Sequence, residues 1–388
     1  MKSNFRSSVV LASVVTLTFF GYFAVGMPLA ALPNYVSHGL KLNAFWAGVA
    51  VSTQYIATIA SRAQVGQLVD RFGPKRAVTL GFLSYLLAGV LTVASVPTQG
   101  HPQLSLGLIL AGRLALGIGE SWVGTGAISW AIALFGAKDT VRIISWNGIA
   151  TNAALALGAP LGAWLDGLAG FSSIGFATVG LALIGLALTL TRPAAPAAAG
   201  RSTGTGQVFR IVAPYGFALA LAGSGFGVIV TFVALFFGSR GWSGGSFALT
   251  AFGLAFVANR LVLTWCVTRF GGMCVARAAL LIELAGLIVL VTASGPAGGI
   301  AGAALIGIGF AAVFPALGGE AVNRAPPPNR GVALGLYTVF QDASLGATGP
   351  IAGLLATRFG YSSPFLLAAA AVLGSFALCL WLKVADAA

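Results

Sequence analysis

Arg113 and Glu120 stand seven residues apart in one long apolar run, and Asp342 stands in another. An ionised group removed from water is costly unless it is paired or neutralised, so a charge in such a run marks a functional position by default. Seven residues is two helical turns, about 10 Å along one face, with Leu116 and Gly117 between. At that separation a direct Arg113–Glu120 ion pair needs helix bending or a bridging water. Glu120 is therefore a candidate for taking up and releasing a proton. Arg113 is its charge partner or a solute anchor, or else a structural residue satisfied by neighbouring carbonyls. Asp342, beside Gln341, is the second candidate proton or solute site; the alternative is a carboxylate held by backbone or hydroxyl donors.

Other polar residues recur inside apolar runs: Tyr22, Gln54, Tyr55, Asn147, Asn152 and Asn259. Together with Gln341 they suit a mixed polar and aromatic solute cavity. Individually each also fits a helix–helix contact, worth ~0.6 kcal/mol on average. Arg62 and Arg260 are explained by snorkelling toward the interface, or by gripping an anion or acting as a gate. Glu283 reads as structural, and Glu320 and Asp166 as interfacial. His38 and His101 are isolated, and Cys266, Cys274 and Cys379 give neither a disulfide framework nor a metal pattern. No cofactor or metal is expected. No nucleophile constellation, phosphate-binding loop or signalling domain is evident either, which argues against a membrane-embedded enzyme, an ATP-driven pump and a sensor.

The elements that hold these residues follow from composition. Of 388 residues, 58% are hydrophobic and 7% charged, against ~25% charged in soluble domains. That much apolar surface needs lipid, and a span takes roughly 20 apolar residues. Twelve stretches qualify: 9–33, 44–68, 77–97, 104–135, 142–168, 172–191, 209–238, 244–268, 273–294, 297–320, 331–357 and 361–382. The first exceeds the ~7–15 residues of a signal-peptide core and reads as a span. The net charge of +13 points to nucleic acid in a soluble protein; here its distribution points to topology. With a cytoplasmic N-terminus, fifteen Lys and Arg fall in inner loops and tails. Only Lys41, Arg240 and Arg358 fall outside, and Arg62, Arg113 and Arg260 lie within spans. That asymmetry places both termini in the cytoplasm.

A Pro-, Ala-, Gly- and Ser-rich stretch, 192–208, divides the chain into residues 1–191 and 209–388, six spans each. The halves repeat. Arg62 with Asp70-Arg71-Phe72-Gly73 matches Arg260 with Thr268-Arg269-Phe270-Gly271 at an offset of 198. Gly112, Gly117 and Gly119 match Gly302, Gly307 and Gly309 at an offset of 190, as Ala159-Pro160 matches Gly349-Pro350. Duplicated six-span halves with a site near the midplane describe a group of secondary transporters that work by alternating access.

The loop after the second span, Gly66-Gln67-Leu68-Val69-Asp70-Arg71-Phe72-Gly73-Pro74-Lys75-Arg76, resembles the signature of the major facilitator superfamily. That resemblance spans the whole chain through its six-plus-six plan: an all-α membrane protein of two pseudo-symmetric six-helix bundles. Within the superfamily it is similar to the arabinose-efflux-permease-like exporters, on Leu32-Pro33-Asn34-Tyr35-Val36, Phe226-Gly227 through Gly241-Trp242, and Phe340-Gln341-Asp342. The resemblance implies that Gly66, Asp70, Arg71, Gly73, Lys75 and Arg76 act as a cytoplasmic gate. Asp70 would sit at the positive end of the eleventh helix. The second half lacks the acid, having Thr268, and has Met273-Cys274 in place of the basic pair. Arg113-x3-Gly117-x-Gly119 resembles a motif of proton-coupled members, and Gly349-Pro350-x-x-Gly353 part of an antiporter signature that the family carries on helix five. The expected function is proton-coupled efflux of a small organic solute from a bacterial inner membrane, by a monomer whose partners are solute, protons and lipid, not nucleic acid. Symport or facilitated uptake of a sugar-like or zwitterionic metabolite is the alternative.

Overall fold

A computed structural model of the chain describes residues 2–135, 140–195, 205–326 and 329–387. The side chains of Gly66, Asp70, Asn152 and Thr268 lie outside the described residues, as does 196–204 of the expected linker.

Apolar stretches in lipid must satisfy every backbone N–H and C=O internally, which selects helices. The described residues form twelve: α1 (Lys2–Asn34), α2 (Ala44–Phe72), α3 (Pro74–Ser95), α4 (Pro102–Phe135), α5 (Thr140–Ala169), α6 (Ser172–Thr191), α7 (Thr205–Ser239), α8 (Gly245–Phe270), α9 (Gly272–Thr292), α10 (Pro296–Arg324), α11 (Arg330–Phe359) and α12 (Ser363–Ala387). Each expected span has its helix, most of them longer than the apolar run by a turn or less. The main departures are at the N-terminus, where α1 starts at Lys2, and after α1, where a π-helical turn, Tyr35–Gly39, continues the chain beyond Pro33. Nine helices among the described residues are apolar enough to cross a membrane by length and composition alone. α2, α8 and α11, of 29, 26 and 30 residues, complete the twelve.

The outward faces are covered with large apolar side chains. Phe176 is 62% exposed, Phe247 68% and Phe359 72%. Surfaces of this kind require a non-aqueous partner, here lipid.

The chain divides into two compact units, Met1–Lys41 with Thr53–Gly200, and Leu42–Ser52 with Arg201–Ala388. In the first, α1 packs on α4, α5 and α6, and α3 packs on α4 and α6. Glycines set the spacing. A Cβ at Gly26 would stand 3.1 Å from the Leu155 carbonyl oxygen, and one at Gly162 would overlap the Met27 carbonyl. Small residues permit this close approach in a membrane, where dispersion contacts rather than water expulsion hold helices together.

In the second unit α7 packs on α10, α11 and α12, α9 on α10 and α12, and α8 on α10. The opening turns of α2 cluster with this unit. Ser52 Oγ donates to Leu345 O at 3.0 Å, and a Cβ at Gly353 would stand 2.6 Å from Ala44 O.

The repeat reaches the backbone. Gly73 ends α2 at φ 83° and ψ 158°, and Gly271 ends α8 at φ 80° and ψ 150°. Each donates its N–H to the residue four back, Val69 O and Val267 O, at 3.0 Å. Positive φ with ψ near 150° is a glycine region. The helix therefore ends the same way in both halves, although the acid of the first half is Thr268 in the second.

Candidate functional site

The first unit gathers its polar residues around Glu120. This carboxylate is 5% exposed on α4 and accepts a 2.6 Å hydrogen bond from Gln54 Nε2 of α2. Thr58, one turn along α2, has a single hydroxyl proton and three acceptors in reach: Gln54 O at 3.0 Å, Gly117 O at 3.2 Å and Glu120 Oε2 at 3.3 Å. The α2–α4 approach that makes this possible comes from Gly117, where a Cβ would overlap the Gln54 carbonyl. Glu120 thus has a neutral amide among its hydrogen-bond donors.

Arg113 is 4% exposed and interacts electrostatically with Tyr55 and Glu120. It also borders a cavity of about 20 Å³ with Pro28, Thr92, Phe171 and Thr178, a volume that suits a single water. Asn147, on α5, accepts from Thr18 Oγ1 of α1 at 2.5 Å. Tyr22 lies beside α4, where a Cβ on Gly124 would stand 3.1 Å from its hydroxyl. Tyr55 is buried on α2. Asp166 lines a separate cleft of about 420 Å³ with Asn34, Gln99 and Ser172, beside Tyr35, whose ring stacks on Phe171 at 4.2 Å.

The second unit holds Asp342, 7% exposed on α11. Its neighbour Gln341 has a buried Oε1 without a hydrogen-bond partner among the described residues. Two residues on, Ser344 Oγ donates to Ala220 O of α7 at 2.5 Å and ties the two helices at this level. Asn259 Nδ2 of α8 donates to Ile308 O of α10 at 2.6 Å. The Arg260 guanidinium lies over the Phe256 ring at 5.4 Å.

Of the loop signature, Lys75 donates to Leu190 O at 3.1 Å and Arg192 O at 2.5 Å, capping the last carbonyls of α6. Arg76 lies over the Phe72 ring at 5.4 Å. Arg71 is exposed. Gly66 and Asp70, with the expected contact of Asp70 at α11, fall outside the described side chains.

Sequence reasoning singled out Gln54, Asn147 and Asn259 as lone polar residues, and the structure gives each a partner. It missed Thr18, Thr58, Thr92 and Thr178. Threonines that bond their own helix backbone are common in spans, so their type carries little signal.

Buried carboxylates on long helices, glycine-spaced bundles and a duplicated helix end mark the fold, and comparison with known proteins names the family. The Major Facilitator Superfamily model matches residues 14–350. The chain belongs to the major facilitator superfamily. It is 46% identical over 377 residues to an MFS-type transporter of Pseudomonas aeruginosa, covering 97% of this chain and 94% of that one. A Burkholderia mallei MFS-type transporter is 43% identical over 377 residues, with 97% and 93% covered. Among solved structures, a nucleoside transporter superposes with a TM-score of 0.74 at 16% identity, covering 95% and 98% of the two chains. A D-xylose–proton symporter gives 0.76 at 15% identity, covering 94% and 96%. At those identities the likeness shows the fold alone. This major facilitator protein is a polytopic membrane transporter.

Proposed function

We propose that this major facilitator protein moves a small organic solute across the bacterial inner membrane by proton-coupled alternating access, as an exporter working by antiport. The observation that carries the reading is Glu120, a buried carboxylate that accepts from Gln54 Nε2 at 2.6 Å with the Thr58 hydroxyl 3.3 Å away. A buried carboxylate that accepts from a neutral amide keeps that neighbour as it loads and unloads a proton.

Asp342 is the second coupling residue, and Arg113 tunes Glu120 electrostatically. Tyr22, Gln54, Tyr55, Asn147, Asn152, Asn259, Gln341 and Asp342 supply the polar positions for solute, with Arg113 as an anchor. Gly66, Asp70, Arg71, Gly73, Lys75 and Arg76 form the cytoplasmic gate. The distribution of Lys and Arg in the sequence supports cytoplasmic termini. Residues 1–191 and 209–388 act as the two functional bundles, in a protein that works as a monomer.

A second reading, proton symport, draws on one observation: a protein of the same fold is a D-xylose–proton symporter. Proteoliposomes with a trapped pH dye separate the readings. Xylose, uridine and ethidium are the first probes, and proton movement is recorded as each solute moves. Antiport requires protons to run against the solute and symport requires them to run with it. Solute movement that leaves the internal pH untouched overturns both.

A further inference from the structure

Glu283, on α9, is wholly buried. Among the described residues neither of its carboxylate oxygens has a hydrogen-bond partner. Its side chain leaves α9 beside Gly309 of α10, where a Cβ would stand 2.7 Å from that of Glu283. It ends at α7, where a Cβ on Gly225 would overlap Oε1. Two glycines on two helices thus clear a passage that the carboxyl fills.

The first unit has the same construction. Tyr85 of α3 precedes Glu283 by 198 residues, the offset of the paired helix ends, and Gly119 precedes Gly309 by 190. A Cβ at Gly119 would stand 3.1 Å from Tyr85 Cγ, and one at Gly21 of α1 would stand 3.1 Å from the Tyr85 hydroxyl oxygen. That hydroxyl is also buried without a hydrogen-bond partner among the described residues. The duplicated position therefore accommodates a neutral O–H group pointed at the first helix of its bundle. Electrostatically, Tyr85 interacts with Glu120 and Tyr22. The second half carries Phe310 and Phe226 in that environment, their rings stacked at 5.3 Å.

Among the described residues, no charge compensates Glu283 from the helices around it. On α9 itself, Arg277 lies six residues away, about 9 Å along the axis, and turns its Nε back to Met273 O at 3.2 Å; Cys274 lies farther still. On α10, Glu320 packs against Gly272 at the far end of α9, and Arg324 lies over the Tyr215 ring of α7 at 5.2 Å. Arg210 of α7 is fifteen residues from Gly225, roughly 22 Å of helix. Arg260 of α8 is turned to Phe256. Cys379 of α12 interacts with Arg277. Lys383 and Asp386 lie outside the described side chains.

A bare carboxylate in such a place is strongly disfavoured, and neutralisation removes that cost. We propose that Glu283 is a proton-binding site of the second unit, a carboxylic acid seated against α7 at Gly225 that gives up its proton when the bilayer-embedded protein meets alkaline conditions. Only its use in the transport cycle rests on the proton-coupled reading above; the binding of the proton does not.

The chain contains three glutamates, Glu120, Glu283 and Glu320, which makes isotope-edited infrared spectroscopy decisive. The full chain is reconstituted in lipid with ¹³C-carboxyl glutamate and perfused with buffers from neutral to strongly alkaline. A carboxylic C=O band at neutral pH is expected, shifted by the label, lost in Glu283→Gln, kept in Glu120→Gln and Glu320→Gln, and fading as the buffer becomes alkaline. If Glu283→Gln fails to fold, subtraction of the other two variants assigns the band. No Glu283 band at neutral pH overturns the proposal, because the group is then ionised. A band that persists unchanged through the alkaline range overturns it equally, because the acid is then fixed. A titrating Glu283 band in vesicles that show no solute-linked proton movement leaves this site standing and removes the proton-coupled function; the converse result removes only the site.

Discussion

Gln54 Nε2 lies 2.6 Å from Glu120 Oε2, joining α2 to α4 one turn from the point where Gly117 brings the two backbones together. The amide and the acid form one unit in which a neutral donor positions a group that can change its charge. Glu120→Gln keeps the shape and removes the titration. Gradient-driven movement of any probe solute that the wild type carries is expected to fall to the level of protein-free vesicles, with size-exclusion behaviour unchanged. A fully coupled Glu120→Gln would take this residue out of the mechanism.

Gln54→Leu leaves the Glu120 oxygen without its amide donor. Hydrogen bonds to charged groups are worth about 1.5–3 kcal/mol. The variant is expected to lose that order of stability in thermal unfolding, and to lose more at alkaline than at acid pH. Equal losses at both pH values would mean that the amide serves packing alone.

Asp342 is predicted to be required for coupling in the same assay. Asp342→Asn should still exchange solute at equal concentrations on both sides and should lose uphill movement driven by a pH gradient. Retained uphill movement would leave Asp342 as a structural acid.

Gly162 and Gly167 share α5 but not their surroundings. A Cβ at Gly162 overlaps the Met27 carbonyl, while nothing stands within 4 Å of one at Gly167. Gly162→Ala is expected to destabilise the detergent-solubilised protein by about 1–3 kcal/mol, the usual cost of overpacking. Gly167→Ala should not. Equal thermal shifts for the two variants would contradict the α1–α5 packing described above.

Thr18 and Asn147 meet at 2.5 Å in a buried α1–α5 contact. A double-mutant cycle with Thr18→Val and Asn147→Leu is expected to give a coupling of about 0.6 kcal/mol, the average for such pairs in membranes. Altered solute affinity in Asn147→Leu without any coupling energy would move Asn147 from packing to recognition.

The twelve helices, their approximate ends and the duplication were legible in the residues themselves. Lipid leaves the backbone no alternative to local hydrogen bonding, so an apolar run of sufficient length determines its own structure. The Gly73 and Gly271 helix ends could be paired by counting alone, because a positive-φ turn selects for glycine wherever it recurs. The buried charges were legible for the same reason: Arg113, Glu120 and Asp342 are ionisable residues inside long apolar runs.

What no count could supply was the rotation of each helix about its axis. In a membrane both the lipid face and the packed face are apolar, so the sequence carries little amphipathic signal to say which way a side chain points. Gln54 and Glu120 are 66 residues apart, and Thr18 and Asn147 are 129 apart; only packing brings either pair together. Glu283 shows the same division. Its place on α9 and its match to Tyr85 were present in the sequence, where it read as a structural residue. That its carboxyl passes Gly309 and reaches α7 was decided by how the helices pack.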